Sequence, residues 1–274
     1  MSDADDRALI RRFRTARRDP GLAVLEGFHA LKHALRFGAD LREAVSADPD
    51  QLRELAAELA PDLGGALAER TTPVAAEVVA ELAPQAPRTG VVAIARRPEV
   101  DLAAVLAGRG PQPLVLLEDP RTMGNMGACI RVAAAAGAAA VLTTGPNDPW
   151  HPDALRAAAG LHFALPVAAL APYPRIAGEK HHESLDELAA GDRPLDELAA
   201  GGRPLVAIDP GGEDLHPAEL PPRAILAFGT ERYGLSDALL SRADLRLGIP
   251  MRPGVSSLNL ATAVAAVLFA QRLE

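Results

Sequence analysis

Cysteine is almost absent from this chain of 274 residues. Cys129 stands alone, so neither an internal disulfide nor a cysteine-based zinc cage is open to it. Aromatic residues are also scarce, with one Trp, two Tyr and six Phe. That is too few for a stacking platform that holds bases without sequence preference. A surplus of positive charge is missing too. Lys and Arg number 28 against 36 Asp and Glu, a net charge of −8, whereas a general coater of nucleic acid is basic. The longest apolar runs, 132–143 and 258–270, fall short of the ~18–20 residues a membrane span needs. No basic N-region leads into an apolar core with a cleavage site, so no secretory signal is expected. What remains is an ordinary globular balance, 49% hydrophobic and 23% charged, with length enough for two domains. A soluble, cytoplasmic protein of a reducing compartment is expected. Any contact with nucleic acid must rest on local basic patches and a specific site.

The N-terminus supplies one such patch. After Asp3, Asp5 and Asp6 come Arg7, Arg11, Arg12, Arg14, Arg17 and Arg18, with no acid among them. Leu9, Ile10, Phe13 and Ala16 fall on one helical stripe, so residues 1–20 read as an amphipathic helix with a basic face. Two readings stand side by side: a phosphate-contacting arm built on Arg11, Arg12, Arg14, Arg17 and Arg18, or a solvated helix packed through Leu9 and Phe13.

Residues 21–97 alternate short apolar runs with helical segments and read as a small α/β domain. Strands are expected at 22–25, 43–46 and 91–95, and helices at 28–37 and 74–82. A further helix should open at Pro49 after Asp48 and run to Leu59. Residues 98–112, rich in Pro and Gly, read as a linker. Residues 113–274 then give strands at 114–118, 139–142, 163–167, 205–208, 224–228 and 245–249. Helices intervene at 126–136, 154–160 and 237–241, and a last one covers 258–273. Continuous apolar strands alternating with helices predict a mostly parallel sheet covered on both faces. A ten-residue segment, 185–194, is repeated at once as 195–204 with nine identities. A period so short, occurring twice, reads as a local duplication in a surface connection.

Three segments of the second half carry more than packing requires. In the first, a strand ends at Glu118, a loop carries Asn125, and Gly127 and Arg131 follow on the next helix; Asn125 is a residue type that caps helices. In the second, Gly229, Glu231 and Gly234 follow a strand directly, at the carboxyl end where α/β sheets bind ligands. In the third, a strand runs through Ile249, Pro250 and Met251 to Ser256, Ser257 and Asn259, where a long apolar helix begins. Either serine is a candidate cap. Adjacent and helically spaced histidines (His29 with His33, His181 with His182) lack a third ligand, so no metal is expected.

In this order, Asn125-x-Gly127-Ala128-x-x-Arg131, Gly229-x-Glu231-x-x-Gly234-Leu235, and Ile249-Pro250-Met251 with Ser256-Ser257-Leu258-Asn259 resemble the SpoU (TrmH) family of RNA 2′-O-ribose methyltransferases, of the SPOUT class. The resemblance covers about residues 112–274. The N-terminal portion, including residues 24–27 and 88–93, resembles the ribosomal-protein-like RNA-binding domain that some members carry. The resemblance implies a parallel sheet with a C-terminal trefoil knot, an exception to unknotted topology. It also implies S-adenosylmethionine bound by the second and third motif loops, through Gly229, Thr230, Gly234, Ile249, Met251 and Leu258, and a homodimer. Arg131, Asn125, Glu231, Ser257 and Asn259 are the catalytic residues it nominates. Arg232-Tyr233 and the run Leu260-Ala261-Thr262 depart from the family pattern.

The implied reaction moves a methyl group from a sulfonium to a ribose 2′-hydroxyl, which needs positioning, help with a proton and a dry pocket, but no metal. A charged guanidinium has no acceptor, so the easier role for Arg131 is to hold a phosphate and stabilise the developing alkoxide. The extra N-terminal domain favours ribosomal over transfer RNA. Two other classes remain open: a catalytically silent RNA-binding protein, and a nucleotide-cofactor oxidoreductase, against which the missing G-x-G-x-x-G counts.

Overall fold

A computed structural model of the chain describes residues 3–170, 198–216, 220–230 and 233–270. Two compact units emerge: Met1–Glu99 together with Trp150–Ala164, and Val100–Pro149 together with Leu165–Glu274.

In the first unit, β1 (Leu22–Glu26), β2 (Leu41–Ser46), β3 (Thr72–Pro73) and β4 (Val91–Arg96) form a sheet in the order β1-β4-β2-β3. β4 runs antiparallel to β1 and β2, and β3 lies parallel to β2. Helices α1 (Asp3–Ala16), α2 (Phe28–Arg36), α3 (Pro49–Leu59), α4 (Gly64–Arg70) and α5 (Ala76–Leu82) accompany it. The stripe read on α1 is its buried face: Leu9, Ile10, Phe13 and Ala16 join Val24, Val45, Val79 and Val92 in one core. α3 opens at Pro49, with the Asp48 carboxylate accepting from the Asp50 and Gln51 N–H groups at 3.1 and 2.9 Å.

The second unit holds a six-stranded sheet. It consists of β5 (Leu114–Leu117), β6 (Ala140–Thr143), β7 (Val167–Ala169), β8 (Leu205–Asp214), β9 (Ile225–Phe228) and β10 (Leu245–Gly248), in the order β10-β8-β9-β5-β6-β7. Every pairing is parallel. β5, β6 and β9 are buried along their whole lengths, as unbroken apolar strands in a two-sided parallel sheet must be. The helices that follow in chain order are α6 (Leu102–Ala107), α7 (Met123–Ala136), α8 (Pro152–Ala157), α9 (Asp237–Arg242) and α10 (Leu260–Ala270); all but α8, which lies in the first unit, belong here. Strand order progresses from β5 through β6 and β7 to one side, then through β9, β8 and β10 to the other. The chain therefore changes direction between β5 and β9, and ligands bind outside the carboxyl ends of strands at such a point.

Four sequence expectations need correction. Residues 98–112 are not a plain linker. They contain α6, capped by the Asp101 carboxylate on the Ala104 N–H at 3.0 Å. From its last turn onward the carbonyls of Leu106, Gly108 and Gln112 accept from the buried Arg203 guanidinium at 3.0, 3.0 and 3.2 Å. Arg203 belongs to the second copy of the duplicated segment; the first copy lies outside the described residues. The strand expected at 163–167 starts instead at Val167, after Pro166, which has a carbonyl for Val141 N–H at 2.9 Å but no N–H of its own.

The segment Trp150–Ala164 groups with the first unit rather than with the rest of 113–274. Three contacts explain it. The buried Glu26 carboxylate is clamped by Arg17 and Arg156 at 2.7 and 2.8 Å. His33 Nδ1 meets the Ala159 carbonyl at 2.7 Å. Gly160, at φ +75°, lies so close to α2 that an added Cβ would be 2.6 Å from the Ala30 carbonyl oxygen. The last helix begins at Leu260, two residues later than expected, and the end expected for it at 273 lies outside the described residues.

Candidate active site

The three motif segments follow β5, β9 and β10, and all leave the same, carboxyl edge of the sheet. α7 starts at Met123, earlier than expected, so Asn125 lies in its first turn and Thr122 takes the cap position. The capping role read for Asn125 is thereby overturned, and its side chain is available for a longer-range contact. Asn259 Nδ2 donates to Asn125 Oδ1 at 3.0 Å, joining the first motif to the third across 134 residues. The same Asn259 caps α10. Its Oδ1 accepts from Ala261 N–H at 3.0 Å and Thr262 N–H at 3.4 Å, so neither Ser256 nor Ser257 is the cap. α10 packs along α7, and the asparagine pair stands at the N-terminal ends of both helices.

Arg131 lies farther along α7, exposed and without an ion pair among the described residues. Ser257 is exposed in the extended approach to α10 and is not hydrogen-bonded to either asparagine. Glu231 and Arg232 lie outside the described residues.

The second motif is a closed loop. Thr230 N–H donates to Gly234 C=O, and Gly234 N–H returns the bond to Thr230 C=O, both at 3.0 Å. Gly234 is in the left-handed region at φ +67°. A Cβ on Gly229 would overlap the Gly234 carbonyl group and the Leu235 nitrogen, so only glycine permits this closure. In the third motif, Ile249 and Met251 are half-buried and Leu258 is exposed. Among the described residues, the backbone of 250–258 makes a single hydrogen bond, from Val255 N–H to Arg252 C=O at 3.1 Å. A stretch with so many uncommitted amides and carbonyls, at the same sheet edge as a glycine loop, fits a ligand held largely by backbone atoms.

Two residues that sequence reasoning did not single out tie these segments together. The Glu118 carboxylate accepts from Ser236 N–H at 2.7 Å and Ser236 Oγ at 2.6 Å, and Ser236 Oγ caps α9 through Leu239 N–H at 3.2 Å. The signals were present: an acid ending an apolar strand, and a serine directly before a helix.

The proposed RNA-contacting arginines divide. Arg12 makes a two-pronged pair with Glu43 at 2.6 and 2.8 Å. Arg14 lies 3.8 Å from Glu81. Arg17 is taken up by Glu26 and by the Leu82 carbonyl, each at 2.7 Å. Arg11 and Arg18 are exposed and carry no ion pair among the described residues. Arg11 and Arg12 also line an open groove of ≈ 710 Å³, together with Thr15 and Arg42.

The model of the SpoU rRNA Methylase family matches residues 112–185 and 175–269. An uncharacterized tRNA/rRNA methyltransferase of Synechocystis is 29% identical over 269 residues, 94% of this chain and 86% of that protein. The 23S rRNA (guanosine(2553)-2′-O)-methyltransferase of Bacillus subtilis is 28% identical, with 90% and 86% covered. The crystal structure of the SpoU methyltransferase AviRb from Streptomyces viridochromogenes, in complex with AdoMet, superposes with a TM-score of 0.71 over 97% of each chain. At 24% identity this likeness establishes a common fold. With more than half of its length matched by the family model and the three motifs gathered at one sheet edge, this chain belongs to the SpoU rRNA Methylase family.

Proposed function

We propose that this protein transfers a methyl group from S-adenosylmethionine to a ribose 2′-hydroxyl of ribosomal RNA, in the cytoplasm and as a homodimer. The observation that carries the reading is the Asn125–Asn259 hydrogen bond. It brings the first and third motifs together at the sheet edge from which the glycine loop of the second also leaves. Residues 229–234 and 249–258 would hold the cofactor, with Gly229, Thr230, Gly234, Ile249, Met251 and Leu258 in contact. When bound, S-adenosylmethionine supplies an electrophilic sulfonium methyl group.

The chain's own residues do the rest. Arg131, exposed and uncommitted, holds the phosphate next to the target ribose and lowers the energy of the developing alkoxide. Its guanidinium has five donors in a fixed fork, which suits a phosphate oxygen pair. Asn125, fixed by Asn259, orients the ribose, with Glu231 and Ser257 completing the polar surround. Holding the hydroxyl in line with the methyl carbon supplies much of the acceleration such a displacement needs. The oxidoreductase reading has no support in the first motif, where the segment from Glu118 to Gly127 lacks the dinucleotide fingerprint.

In this reading the first unit, with Arg11 and Arg18 as its open cations, grips RNA, and residues 113–274 without the segment 150–164 form the knotted methyltransferase domain. Dimerisation is supported by α10. All its residues but Thr262 are apolar, yet Thr262, Ala266 and Phe269 lie exposed along one face. No described helix is long and apolar enough to cross a membrane.

The test is methyl transfer from labelled S-adenosylmethionine to separated, unmodified ribosomal and transfer RNA, followed by alkaline hydrolysis. A 2′-O-methyl group blocks cleavage, so label should appear in a resistant dinucleotide from ribosomal RNA. Arg131→Ala should bind the cofactor and transfer nothing. Label confined to mononucleotides would mean base methylation and overturn the ribose assignment.

A further inference from the structure

Glu118 interrupts an apolar run at the point where β5 ends. Its backbone N–H donates to the Phe228 carbonyl at 2.9 Å, carrying the β5–β9 register one residue past the strands. Among the described residues its side chain is spent on one partner: both carboxylate oxygens accept from Ser236, one from the amide and one from the hydroxyl. The loop between β9 and α9 is thus anchored twice to the same residue. It leaves β9 beside the Glu118 backbone and arrives at α9 on the Glu118 carboxylate. Between these anchors Thr230 and Gly234 close the ring. Only four residues farther along the chain from Glu118, Thr122 stands at the N-cap of α7, the helix of Asn125 and Arg131.

We propose that Glu118 is a positioning residue for the cofactor. By fixing Ser236, its carboxylate holds residues 229–230 and 233–235 in the shape that binds S-adenosylmethionine and keeps them in register with the start of α7. The proposal rests on the reading of this loop as part of the cofactor pocket. A carboxylate suits the task because it has acceptors only, so both Ser236 donors are met at once. Glutamine can keep its oxygen on the Ser236 N–H, but its NH₂ group then faces the Ser236 hydroxyl, which must turn from donor to acceptor, and both bonds lose the charge of the carboxylate.

The test compares Glu118→Gln, Ser236→Ala and the double variant in the full-length protein, using calorimetric titration with S-adenosylmethionine and steady-state methyl transfer. Each single variant should raise the Kd and KM for the cofactor about ten-fold, the scale of removing one charge-assisted hydrogen bond. The kcat at saturating cofactor and the affinity for RNA should stay near wild type. In cofactor affinity the double variant should fall short of the product of the single effects, because the Ser236 hydroxyl bond to Glu118 is disturbed by both changes; the α9 cap that Ser236→Ala also removes should register in thermal stability. In cofactor-free protein, amide exchange across 233–236 should be faster in Glu118→Gln.

Wild-type cofactor affinity in Glu118→Gln would overturn the proposal, and so would single effects that multiply in the double variant. A fall in thermal stability with Kd unchanged would also overturn it, since that is all a merely structural carboxylate predicts. A wild-type protein that binds no S-adenosylmethionine would refute the function proposed above; binding by wild type and Glu118→Gln alike would refute this inference alone.

Discussion

Replacing Gly229 by alanine tests the cofactor pocket at its tightest point. The added Cβ would overlap the Gly234 carbonyl group and the Leu235 nitrogen. These are backbone atoms, which cannot swing aside as a side chain would. They must retreat by about 1 Å or more to reach an ordinary carbon contact near ~3.5 Å. The closing pair of hydrogen bonds between Thr230 and Gly234, each 3.0 Å long, cannot survive that displacement. At about 0.5–1.5 kcal/mol each, their loss disfavours the closed loop by about 1–3 kcal/mol. If only the closed loop binds cofactor, the apparent Kd rises by the inverse of its population, about 5- to 150-fold. Calorimetric titration with S-adenosylmethionine reads this directly. Gly124→Ala is the control. Gly124 sits on α7 with nothing within 4 Å of a Cβ, so alanine there should stabilise the helix slightly and leave cofactor affinity unchanged. A Gly229→Ala protein that binds cofactor within two-fold of wild type, on the order of the 0.4 kcal/mol noise of such comparisons, would refute the reasoning.

Asn259→Asp keeps the α10 cap but cannot donate to Asn125. It should melt near wild type while losing activity, whereas Asn259→Ala should lose activity and about 1 kcal/mol of stability; equal activity in all three would sink the asparagine pair. For RNA binding, Arg11→Glu and Arg18→Glu should each flatten the salt dependence of affinity by about 0.7–0.9 for every phosphate no longer neutralised. Deleting α1 is not an equivalent test, because Leu9 and Phe13 are core residues. Burial pushes the His33 imidazole below its ordinary value of 6.5, against the raising effect of the Ala159 carbonyl, while nearby Lys32 and Arg36 push it further down. Between that lowered pKa and 6.5 the unfolded chain binds the extra proton. His33 therefore contributes stability above pH 6.5 that is lost as the pH falls toward the folded pKa, and thermal melts of His33→Gln should show a shallower acid dependence. Deleting 185–194 or 195–204 yields two chains that differ only in Gly or Asp at one position, that of Gly202, which sits at φ +59° with open space around it. The second deletion should cost about 1 kcal/mol more, a Tm lower by about 2–4 °C; equal melting would show that the left-handed backbone at Gly202 is not needed.

Local patterns carried the architecture. The unbroken apolar runs of β5, β6 and β9 announced a parallel sheet, because a strand buried on both faces has no polar side to alternate with. Asp48 with Pro49 marked the start of α3, and Gly137, at φ +68°, the end of α7. The three motifs, read in order along the chain, marked three loops that the fold puts at one edge of the sheet. None of this required knowing what lies opposite each side chain.

Partners are what the sequence withheld. Six arginines within twelve residues look alike on paper, yet Glu43, 31 residues from Arg12, and Leu82, 65 residues from Arg17, take two of them out of play. The segment Trp150–Ala164 sits within the chain of the second unit, but Glu26, 130 residues from Arg156, holds it in the first. Arg203 reads as an ordinary loop arginine until five carbonyls, of residues 105, 106, 108, 112 and 223, converge on it. Amino-acid sequence by itself determined which faces are buried and, at Asp48–Pro49 and Gly137, where a helix begins or ends, since these depend on periodicity and on neighbours a few residues away. Only the tertiary structure decided which charges are spent on one another and which remain open, because hydrogen bonds and ion pairs act over a few ångströms between residues that the chain keeps far apart.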